Sequence, residues 1–430
     1  MARIEHVQAR QVLDSRGNPT VEVDVFLEDG ALGRAIVPSG ASTGSAEAVE
    51  RRDKDPASYL GRGVLDPIQN VEQMIAGELR GMEASNQPFV DQRLCDLDGT
   101  PNKSRLGANA LLGVSLAVAR AAAVSAGMPL YRYLGGLEAV ELPVPMVNVL
   151  SGGLHGGGNI DFQDYMLIPL RARRYSEALE DACAVFRAMK HVLKSRGILT
   201  PGVADEGGYA PALKSNEAGF ELMVEAFEQA GFKPGSEAAI AVDVAASHFF
   251  QNGLYSLSAE GVALRSDEFT RRMKEWVGQY PILSIEDGLA EEDWGGWKDL
   301  TARLSARCQL IGDDLFVTNL ARLRRGIREG TANAVLVKLN QVGTLSETLA
   351  VLELARDHGY RTVISARSGE TEDDFIADLA VATGAGQIKI GSVTRSERLA
   401  KYNRLLRLEQ HLGTRAKYRG AELFAGLAPA

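Results

Sequence analysis

The sequence predicts an α/β barrel in the second half of the chain. Short apolar runs recur there roughly every 25 to 45 residues, which is the length of a strand–helix unit. Continuous apolar runs are typical of strands buried on both faces of a parallel sheet. Each run ends in a charged residue, and a (β/α) barrel carries its chemistry at the carboxyl ends of its strands. The runs are 240–243, 282–286, 310–313, 334–338 and 362–367.

Length and composition define the class of protein. The chain has 430 residues, enough for a large core and two domains, and its 45% hydrophobic and 24% charged residues are typical of a globular protein. The net charge of −9 argues against general binding to nucleic acid or to anionic membranes. The N-terminus lacks signal-peptide character, and we expect no apolar run of the roughly 18 residues that a membrane span needs.

Cysteine usage agrees with a reducing compartment. Cys95, Cys183 and Cys308 form no paired framework and no Cys-x-x-Cys motif. They lie in apolar contexts, so we expect small buried side chains and not reactive thiols. The expected location is the cytoplasm.

The N-terminal part carries strand and loop signals. Residues 20–27 alternate apolar and polar side chains, which predicts a half-buried strand. Asp29-Gly30 turns the chain into a second strand over 31–37, so we expect the chain to open with a hairpin. The segment 38–44 consists of small residues; it could close as a lid, and its composition also fits a plain surface connection.

Helix signals and a domain boundary follow. An Ala/Leu/Val-rich helix is predicted over about 107–126, with Gly127 as its cap. The prolines of 142–145 stiffen a connection and block a helix. We therefore divide the chain into an N-terminal domain, residues 1–138, and a catalytic barrel domain, residues 139–430.

One helix of the barrel domain has a clear apolar face. Phe220, Met223 and Phe227 recur at helical spacing before Gly231, where the helix is predicted to end. We expect this face to pack against the sheet and not to bind a cofactor.

Asp243, Glu286 and Asp313 form the main predicted constellation. Each ends an apolar strand, so their carboxylates can meet at one rim of the barrel. Three oxygen ligands without a partnering Cys or His suit a hard cation, and Mg²⁺ is the natural choice. The alternative is three separate structural acids, and their register on consecutive strands favours the metal.

Basic residues end the strands that come next. Lys338 lies beside the expected metal, where neighbouring cations would ease the loss of its proton and let it act as a base. The structural alternative is an ion pair with the acids of 313–314. Arg367 and Ser368 suit a phosphate or carboxylate, and Lys389 adds a further cation. Together these cations predict a small polyanionic substrate.

Two glycine-rich loops carry isolated polar residues. Glu206, in the loop 205–209, could serve as a general acid or base, although solvated loop acids are commoner. His155 lies among the glycines of 151–158, a setting that argues against a core histidine. The sequence has no Rossmann or Walker-type glycine motif and no His-Glu-x-x-His, so nucleotide and zinc-hydrolase functions lose support.

Longer motifs connect these residues to a known family. The sequence resembles enolases over nearly its whole length, with matching stretches in the same order. They are 14–22 (DSRGNPTVE), 38–44 (PSGASTG), 205–208 (DEGG), 284–287 (SIED), 312–319 (GDDLFVTN) and 367–373 (RSGETED). The resemblance implies a small α+β domain on an eight-stranded, TIM-like α/β barrel of the enolase type. It also implies assembly as a homodimer or a dimer-based octamer.

The resemblance further implies a chemistry. Enolases use Mg²⁺, here two ions, to remove the proton beside the carboxylate of a 2-phosphoglycerate-type substrate and give an enolpyruvate product. The resemblance implies that Asp243, Glu286 and Asp313 bind the first Mg²⁺, and that Ser42, on the mobile loop, binds the second and contacts the substrate. It implies that Lys338 is the base and that Glu206 assists departure of the 3-hydroxyl.

The resemblance also implies residues that bind the substrate. Arg367 and Ser368 bind its phosphate, and Lys389 and Gln163 are further substrate contacts. His155 and Asp164 are implied as additional catalytic residues.

The sequence departs from the enolase pattern near the implied substrate. Enolases normally have His before the Arg-Ser pair, and this chain has Ala366. An active-site Glu is shortened to Asp164, Ile390 replaces a Thr, and Ser151 replaces an Asn. Smaller side chains make room and remove help for hydroxide departure, while the predicted metal ligands and base are retained.

The sequence leaves three functions open. The first is a diverged enolase-family enzyme with a modified or enlarged substrate, such as carboxyphosphonoenolpyruvate synthase of phosphinothricin-type antibiotic pathways, which joins a phosphonoformate unit to an enolpyruvate skeleton. The second is glycolytic enolase, which converts 2-phosphoglycerate to phosphoenolpyruvate. The third is a binding protein without activity, which the retained Lys338 and Glu206 argue against. Ala366 favours the first over the second.

Overall fold

A computed structural model of the chain describes residues 2–41, 43–158, 160–198 and 202–427. It contains a three-stranded antiparallel sheet in the N-terminal part and a closed eight-stranded barrel in the C-terminal part. The predicted barrel with a smaller N-terminal α+β domain is therefore confirmed.

The N-terminal domain packs helices on one sheet. Its strands are β1 (Ile4–Leu13), β2 (Pro19–Leu27) and β3 (Leu32–Ile36), with β2 in the centre. Its helices are α1 (Leu65–Asn70), α2 (Ala76–Leu79), α3 (Gln87–Asp98), α4 (Ala108–Ser125) and α5 (Leu130–Gly135), and a π-helical turn, Val71–Ile75, joins α1 to α2.

The sheet corrects two expectations about the N-terminus. Strand β1 precedes the predicted hairpin, and β2 is buried along nearly its whole length where a half-buried strand was expected. The cause is charge pairing across the polar side of β2. Arg10 donates to Asp24 at 2.6 Å from β1, and Arg34 donates to Asp24 at 2.7 Å from β3. Arg10 also pairs with Glu22, so the guanidinium groups cover the carboxylates.

Helix α4 confirms the predicted helix over 107–126. The chain leaves it through Gly127, which has a φ of +63°. By length and composition α4 could cross a membrane, which corrects the expectation that no segment is long and apolar enough, but 83% of it is buried inside the protein. Helix α4 lies very close to the sheet at Gly33, which has no side chain. A Cβ added at Gly33 would lie only 2.0 Å from the Ala117 carbonyl oxygen.

The C-terminal domain alternates strands and helices. Its strands are β4 (Val144–Ser151), β5 (Asp164–Pro169), β6 (Ala238–Asp243), β7 (Phe250–Gln251), β8 (Leu254–Leu257), β9 (Val262–Leu264), β10 (Ile282–Glu286), β11 (Gln309–Gly312), β12 (Ala334–Val337), β13 (Arg361–Ser365) and β14 (Gly386–Gly391). Its helices are α6 (Tyr175–Ser195), α7 (Glu217–Gln229), α8 (Ser266–Gln279), α9 (Trp294–Leu304), α10 (Leu320–Glu329), α11 (Leu339–Val342), α12 (Leu345–Asp357), α13 (Phe375–Thr383) and α14 (Ser396–Leu412).

The barrel is parallel with one exception. Its strand order is β4, β5, β6 and then β10 to β14, which closes on β4, while β7, β8 and β9 form a separate sheet. The strands predicted from apolar runs are parallel as expected, but β5 is antiparallel to both β4 and β6. The start of β5 therefore lies at the rim where the other strands end, and Asp164 pairs in register with Asp243.

The barrel interior below this rim is mainly apolar, with one hydrogen-bonded polar cluster formed by Ser284, Gln309 and Gln387. Leu283, Ile311 and Val363 belong to the interior cluster, and Leu423 and Phe424 from the C-terminal segment join it. This packing keeps water out of the space beneath the charged rim.

The remaining core predictions hold for helix α7 and for one of the three cysteines. The predicted apolar residues of α7, namely Phe220, Met223 and Phe227, are buried, so the helix packs as expected. Cys308 is buried, whereas Cys95 and Cys183 are only partly buried. Burial raises the pKa of Cys95 and of Cys308 to about 12.

Candidate functional site

The predicted charged residues meet at one rim of the barrel. Their side chains are buried or nearly so and interact electrostatically with one another across the barrel mouth. The residues brought together are His155, Gln163, Asp164, Glu206, Asp243, Glu286, Asp313, Lys338, Arg367, Ser368 and Lys389. Ser42 lies outside the described residues.

Asp243 and Glu286 share one ammonium group. Lys389 Nζ, from β14, lies 2.8 Å from Asp243 Oδ2 and 2.8 and 2.9 Å from the two oxygens of Glu286. Gln163 Nε2 also donates to Asp243 Oδ2 at 3.0 Å. Lys389 was predicted as a substrate contact, and here its ammonium binds two of the three predicted metal ligands.

The two carboxylates respond differently to this burial. Burial raises the pKa of Asp243, but the charge and the hydrogen bond of Lys389 act against burial, and the net pKa lies below its usual value. Burial together with the Asp243 charge raises the pKa of Glu286 well above its usual value. Two carboxyl groups share one lysine here, and their mutual repulsion favours the protonated form of Glu286.

Asp313 lies against the predicted base. Lys338 Nζ donates to Asp313 Oδ2 at 2.5 Å, and Gln341 Nε2 donates to Asp313 Oδ1 at 2.9 Å. Burial lowers the pKa of Lys338, but the Asp313 charge outweighs it and the net pKa is raised. The ion pair weighed as the alternative is therefore present in the chain without a bound cation. The easily lost proton was expected for Lys338 beside a bound metal, and it stays a prediction.

Arg367 and Ser368 are held between the two domains. Arg367 Nη1 donates to Asn340 Oδ1 at 2.9 Å and to Glu47 Oε2 at 3.1 Å. The Ala41 N–H donates to Ser368 Oγ at 2.7 Å. The small-residue loop thus contacts the predicted phosphate-binding pair directly and is not a plain surface connection.

A buried arginine supports this pair from below. Arg398, in α14, is fully buried and donates to the Arg367 carbonyl at 2.5 Å and to the Ser368 carbonyl at 2.7 Å. Lys401 Nζ donates to Glu370 Oε2 at 2.7 Å, and the Arg367 N–H donates to the other Glu370 oxygen at 3.0 Å. The backbone of the pair is fixed by charged groups on a second element.

His155 and Asp164 form a buried pair on the opposite wall. His155 Nδ1 lies 3.0 Å from Asp164 Oδ2, and Asp164 Oδ1 accepts from Asn148 Nδ2 at 2.6 Å and from Ser151 Oγ at 2.9 Å. Burial lowers the pKa of His155, but the Asp164 charge raises it overall. His155 is therefore buried, although in a polar setting, and Asp164 is bound on both oxygens.

Glu206 is buried as well, so the commoner solvated loop acid is excluded. Its Oε1 lies 3.9 Å from His155 Nδ1. Burial raises the pKa of Glu206, but the positive charges of His155, Arg398 and Lys389 lower it overall. Glu206 is thus held as a carboxylate inside the site.

The donor set fits a divalent cation. Buried carboxylic acids outnumber the basic side chains at this rim, and burial raises the pKa of Glu286, Asp287 and Asp314. The excess carboxyl groups therefore favour protonation, and a bound cation could take the place of those protons. The acids are Asp164, Glu206, Asp243, Glu286, Asp287, Asp313 and Asp314, and the bases are Lys338, Arg367, Lys389 and Arg398. Oxygen-rich donors without Cys suit Mg²⁺.

The closest groupings of these donors differ from the predicted trio. Among the residues that the structure describes, potential ligand atoms lie within 4.8 Å of one another in two groups: Asp287, Asp313 and Asp314; and His155, Asp164 and Glu206. Both oxygens of Asp287 accept backbone N–H groups, from Asp313 at 2.9 Å and from Asp314 at 2.8 Å. Asp287 therefore positions the strand end, and the trio of Asp243, Glu286 and Asp313 stays a prediction.

Several residues of the site escaped the sequence analysis. Gln341 follows Lys338 by one helical turn, a spacing that could have indicated it. Glu47, Asn340 and Arg398 carry no such signal, because polar residues in loops and helices are usually solvated.

Fold and site together define a two-domain α/β-barrel protein with a buried cluster of acids and bases at the carboxyl end of the barrel. Residues 139–426 match the family model described as enolase, C-terminal TIM barrel domain, and residues 4–134 match enolase, N-terminal domain. The chain therefore belongs to the enolase family. Both matches support an enolase-superfamily enzyme with lyase-type chemistry.

Proposed function

We propose that the protein is a Mg²⁺-dependent enzyme that removes the proton beside the carboxylate of a 2-phosphoglycerate-type substrate to give an enolpyruvate product. The observation that carries the proposal is the convergence of Lys338, a potential base, with Asp243, Glu286 and Asp313 in one buried barrel mouth. A proton beside a carboxylate is very weakly acidic, so the dianion that forms must be stabilised by nearby positive charge.

Each residue has a role in this chemistry. Asp243, Glu286 and Asp313 would hold Mg²⁺, which when bound would weaken the pull of Asp313 on the Lys338 proton and stabilise negative charge on the substrate. Lys338 removes the proton from carbon. The cationic fork of Arg367 binds the substrate phosphate. The other residues act around this centre: Ser368 binds the phosphate with Arg367, Glu206 assists departure of the 3-hydroxyl, and Ser42 belongs to a second Mg²⁺ site.

Two features favour a diverged paralog such as carboxyphosphonoenolpyruvate synthase. Ala366 is buried beside the end of β14, and its N–H donates to the Lys389 carbonyl at 2.8 Å, so a methyl group stands at the rim where enolases have an imidazole. The shortened Asp164 is bound by Asn148 and Ser151. Both changes support a mouth with room for a phosphonate-bearing substrate and with less help for hydroxide departure.

One observation favours the alternative, glycolytic enolase. Glu206, His155 and Asp164 remain assembled as one buried group, with both carboxylates near the imidazole. Such a group could still protonate a leaving hydroxyl.

The deciding experiment supplies 2-phosphoglycerate and Mg²⁺ and measures phosphoenolpyruvate by its ultraviolet absorbance. Turnover on the order of 10 per second or more would favour glycolytic enolase. Negligible turnover, together with a new product once a phosphonoformate donor is added, would favour the synthase. Absence of both activities, with no exchange of the carbon-bound proton into heavy water, would refute the proposal.

We further propose a homodimer or dimer-based octamer that works in the cytoplasm on a small phosphorylated or phosphonate carboxylate, without nucleic-acid or membrane partners. The family resemblance and the net charge of −9 support this. Light scattering of the purified protein tests the assembly, and a monomer at micromolar concentration would refute it.

A further inference from the structure

A polar cavity lies at the end of the barrel opposite the candidate site. We call it the basal cavity; its volume is about 690 Å³. Arg361 and Thr362, at the start of β13, line it together with Ala385, which precedes β14. Since the candidate site uses the carboxyl ends of these strands, the basal cavity is separate from it.

Arg361 is a half-buried cation without an acidic partner. Its Nε donates to the Leu423 carbonyl at 3.4 Å, and no carboxylate of the described residues lies within ion-pair distance of it. Burial and the nearby Arg419 charge lower the pKa of Arg361. A guanidinium in such surroundings gains free energy when an anion reaches it.

The side-chain charges around the basal cavity are net positive. Arg419 lines it and pairs with Glu141 at 2.6 Å, while Arg356 lines it and has no recorded ion pair with any described residue. Glu353 contributes one carboxylate to the lining. Helices α5, α12 and α13 all end at the lining of the cavity, so the partial negative charges of three helix C-termini also face it. Three guanidinium groups against the two carboxylates of Glu353 and Glu141 leave one positive side-chain charge, which the helix ends reduce.

The walls of the basal cavity suit an organic ligand. Leu349 and Leu352 of α12 and Tyr360 provide apolar surface beside the guanidinium groups. The volume lies within the roughly 300–1,000 Å³ that is typical of small-molecule sites. A bare inorganic ion would leave much of this surface without contact.

We propose that the basal cavity binds a small organic oxyanion, a phosphate ester or a carboxylate, through Arg361 with support from Arg356 and Arg419. Planar guanidinium groups bind both kinds of oxyanion through paired N–H donors. The ligand would bridge β13 and the C-terminal segment that closes the barrel, since Arg361 belongs to the first and Arg419 to the second. None of the residues proposed to bind this anion belongs to the candidate site at the other end of the barrel.

The first test locates the anion directly. Crystals are soaked in tungstate, an X-ray-visible analogue of phosphate, and the anomalous density is compared between wild type and Arg361→Gln. We expect density beside Arg361 in the wild type and none in the variant. Density at Arg367 alone would overturn the proposal, because it would show that the anion reached the crystal but had no affinity for the basal cavity.

The second test measures affinity in solution. Inorganic phosphate and citrate are titrated separately by calorimetry into Arg367→Gln protein, which lacks the predicted phosphate clamp of the catalytic end. Adding Arg361→Gln should weaken binding of at least one anion about tenfold or more, since a charge-assisted contact is lost. Adding Arg303→Gln, which removes an exposed arginine paired with Asp299 at 2.8 Å, should change nothing.

The two anions distinguish the ligand class. If Arg361→Gln weakens the affinity for phosphate more than that for citrate, the ligand of the basal cavity is a phosphate ester. If it weakens the affinity for citrate more, the ligand is a carboxylate. Unchanged affinity for both in Arg361→Gln overturns the proposal. Arg361→Lys keeps a positive charge and guards against a folding defect in the Gln variant; it should bind with intermediate affinity, and affinity equal to wild type for both anions would contradict the role given to the guanidinium.

Discussion

Replacement of Arg398 by methionine should damage both stability and substrate binding. The Arg398 guanidinium is fully buried and donates to three carbonyl oxygens, those of Arg367 at 2.5 Å, Ser368 at 2.7 Å and Ile390 at 3.1 Å. Methionine has similar length and fills much of the space, so the variant removes the hydrogen bonds with little change in packing volume.

The expected loss of stability follows from these contacts. A hydrogen bond that involves a charged group contributes about 1.5–3 kcal/mol, and a buried carbonyl left without a donor costs about 1–3 kcal/mol. Two short bonds from Arg398 therefore correspond to about 3–6 kcal/mol. That is a large part of the roughly 5–15 kcal/mol that stabilises a typical protein.

Function should respond in a specific way. Because Arg398 fixes the backbone of Arg367 and Ser368 and does not contact Lys338 in the structure, the variant should raise KM about tenfold or more. Loss of the Arg398 charge should also raise the pKa of Glu206, so we expect a smaller fall in kcat beside the larger rise in KM. Arg398→Lys retains the charge and should recover part of both losses.

The measurements are urea unfolding and steady-state kinetics with 2-phosphoglycerate, or with the phosphonate substrate if the synthase assignment holds. Arg404→Met is a matched control, since Arg404 lies on the same helix and pairs with Asp378 at 2.7 Å, outside the site. If Arg398→Met unfolds within about 1 kcal/mol of wild type and keeps its KM, the support assigned to Arg398 is refuted.

Three further predictions follow from the site and the core. Lys338→Ala should abolish exchange of the carbon-bound proton of the substrate, followed by NMR in heavy water; near-normal exchange would identify a different base. Ala366→His combined with Asp164→Glu should raise dehydration of 2-phosphoglycerate if the protein is a diverged paralog, and no gain in phosphoenolpyruvate formation would count against that interpretation. Burial raises the pKa of the Cys308 thiol to about 12, so Cys308 should react with a thiol reagent at pH 8 only after the protein is unfolded in guanidinium. In the unfolded protein the reaction should become faster as the pH rises, because more thiolate forms. Rapid labelling of Cys308 in the folded protein at pH 8 would contradict its burial.

The barrel strands show which features of the fold a sequence pattern can predict and which it cannot. The apolar runs before Asp243, Glu286 and Asp313 predicted the barrel strands correctly, because a strand buried on both faces needs apolar residues wherever it lies. The antiparallel strand β5 was not foreseen, since its own residues do not encode the direction of its neighbours. That direction is what brings Asp164 into register with Asp243 at the rim.

The N-terminal sheet gives a second example of what a sequence pattern does not predict, because its charge pairs join different strands. The alternation over β2 indicated an exposed polar side, yet Arg10 and Arg34 from the flanking strands bury Asp24. A pattern within one strand reports only the polarity of its own side chains. Their partners come from elsewhere in the chain.

By itself the sequence determined the family, the barrel and the acids and bases at its strand ends, because hydrophobic periodicity and long motifs are local properties of the chain. The tertiary structure alone decided which of those charges meet: Lys389 with Asp243, Lys338 with Asp313, and Arg398 beneath the Arg367 backbone. The physical reason is that burial makes electrostatic energies depend on distances of a few ångströms between groups far apart in the chain, and only the folded molecule sets those distances.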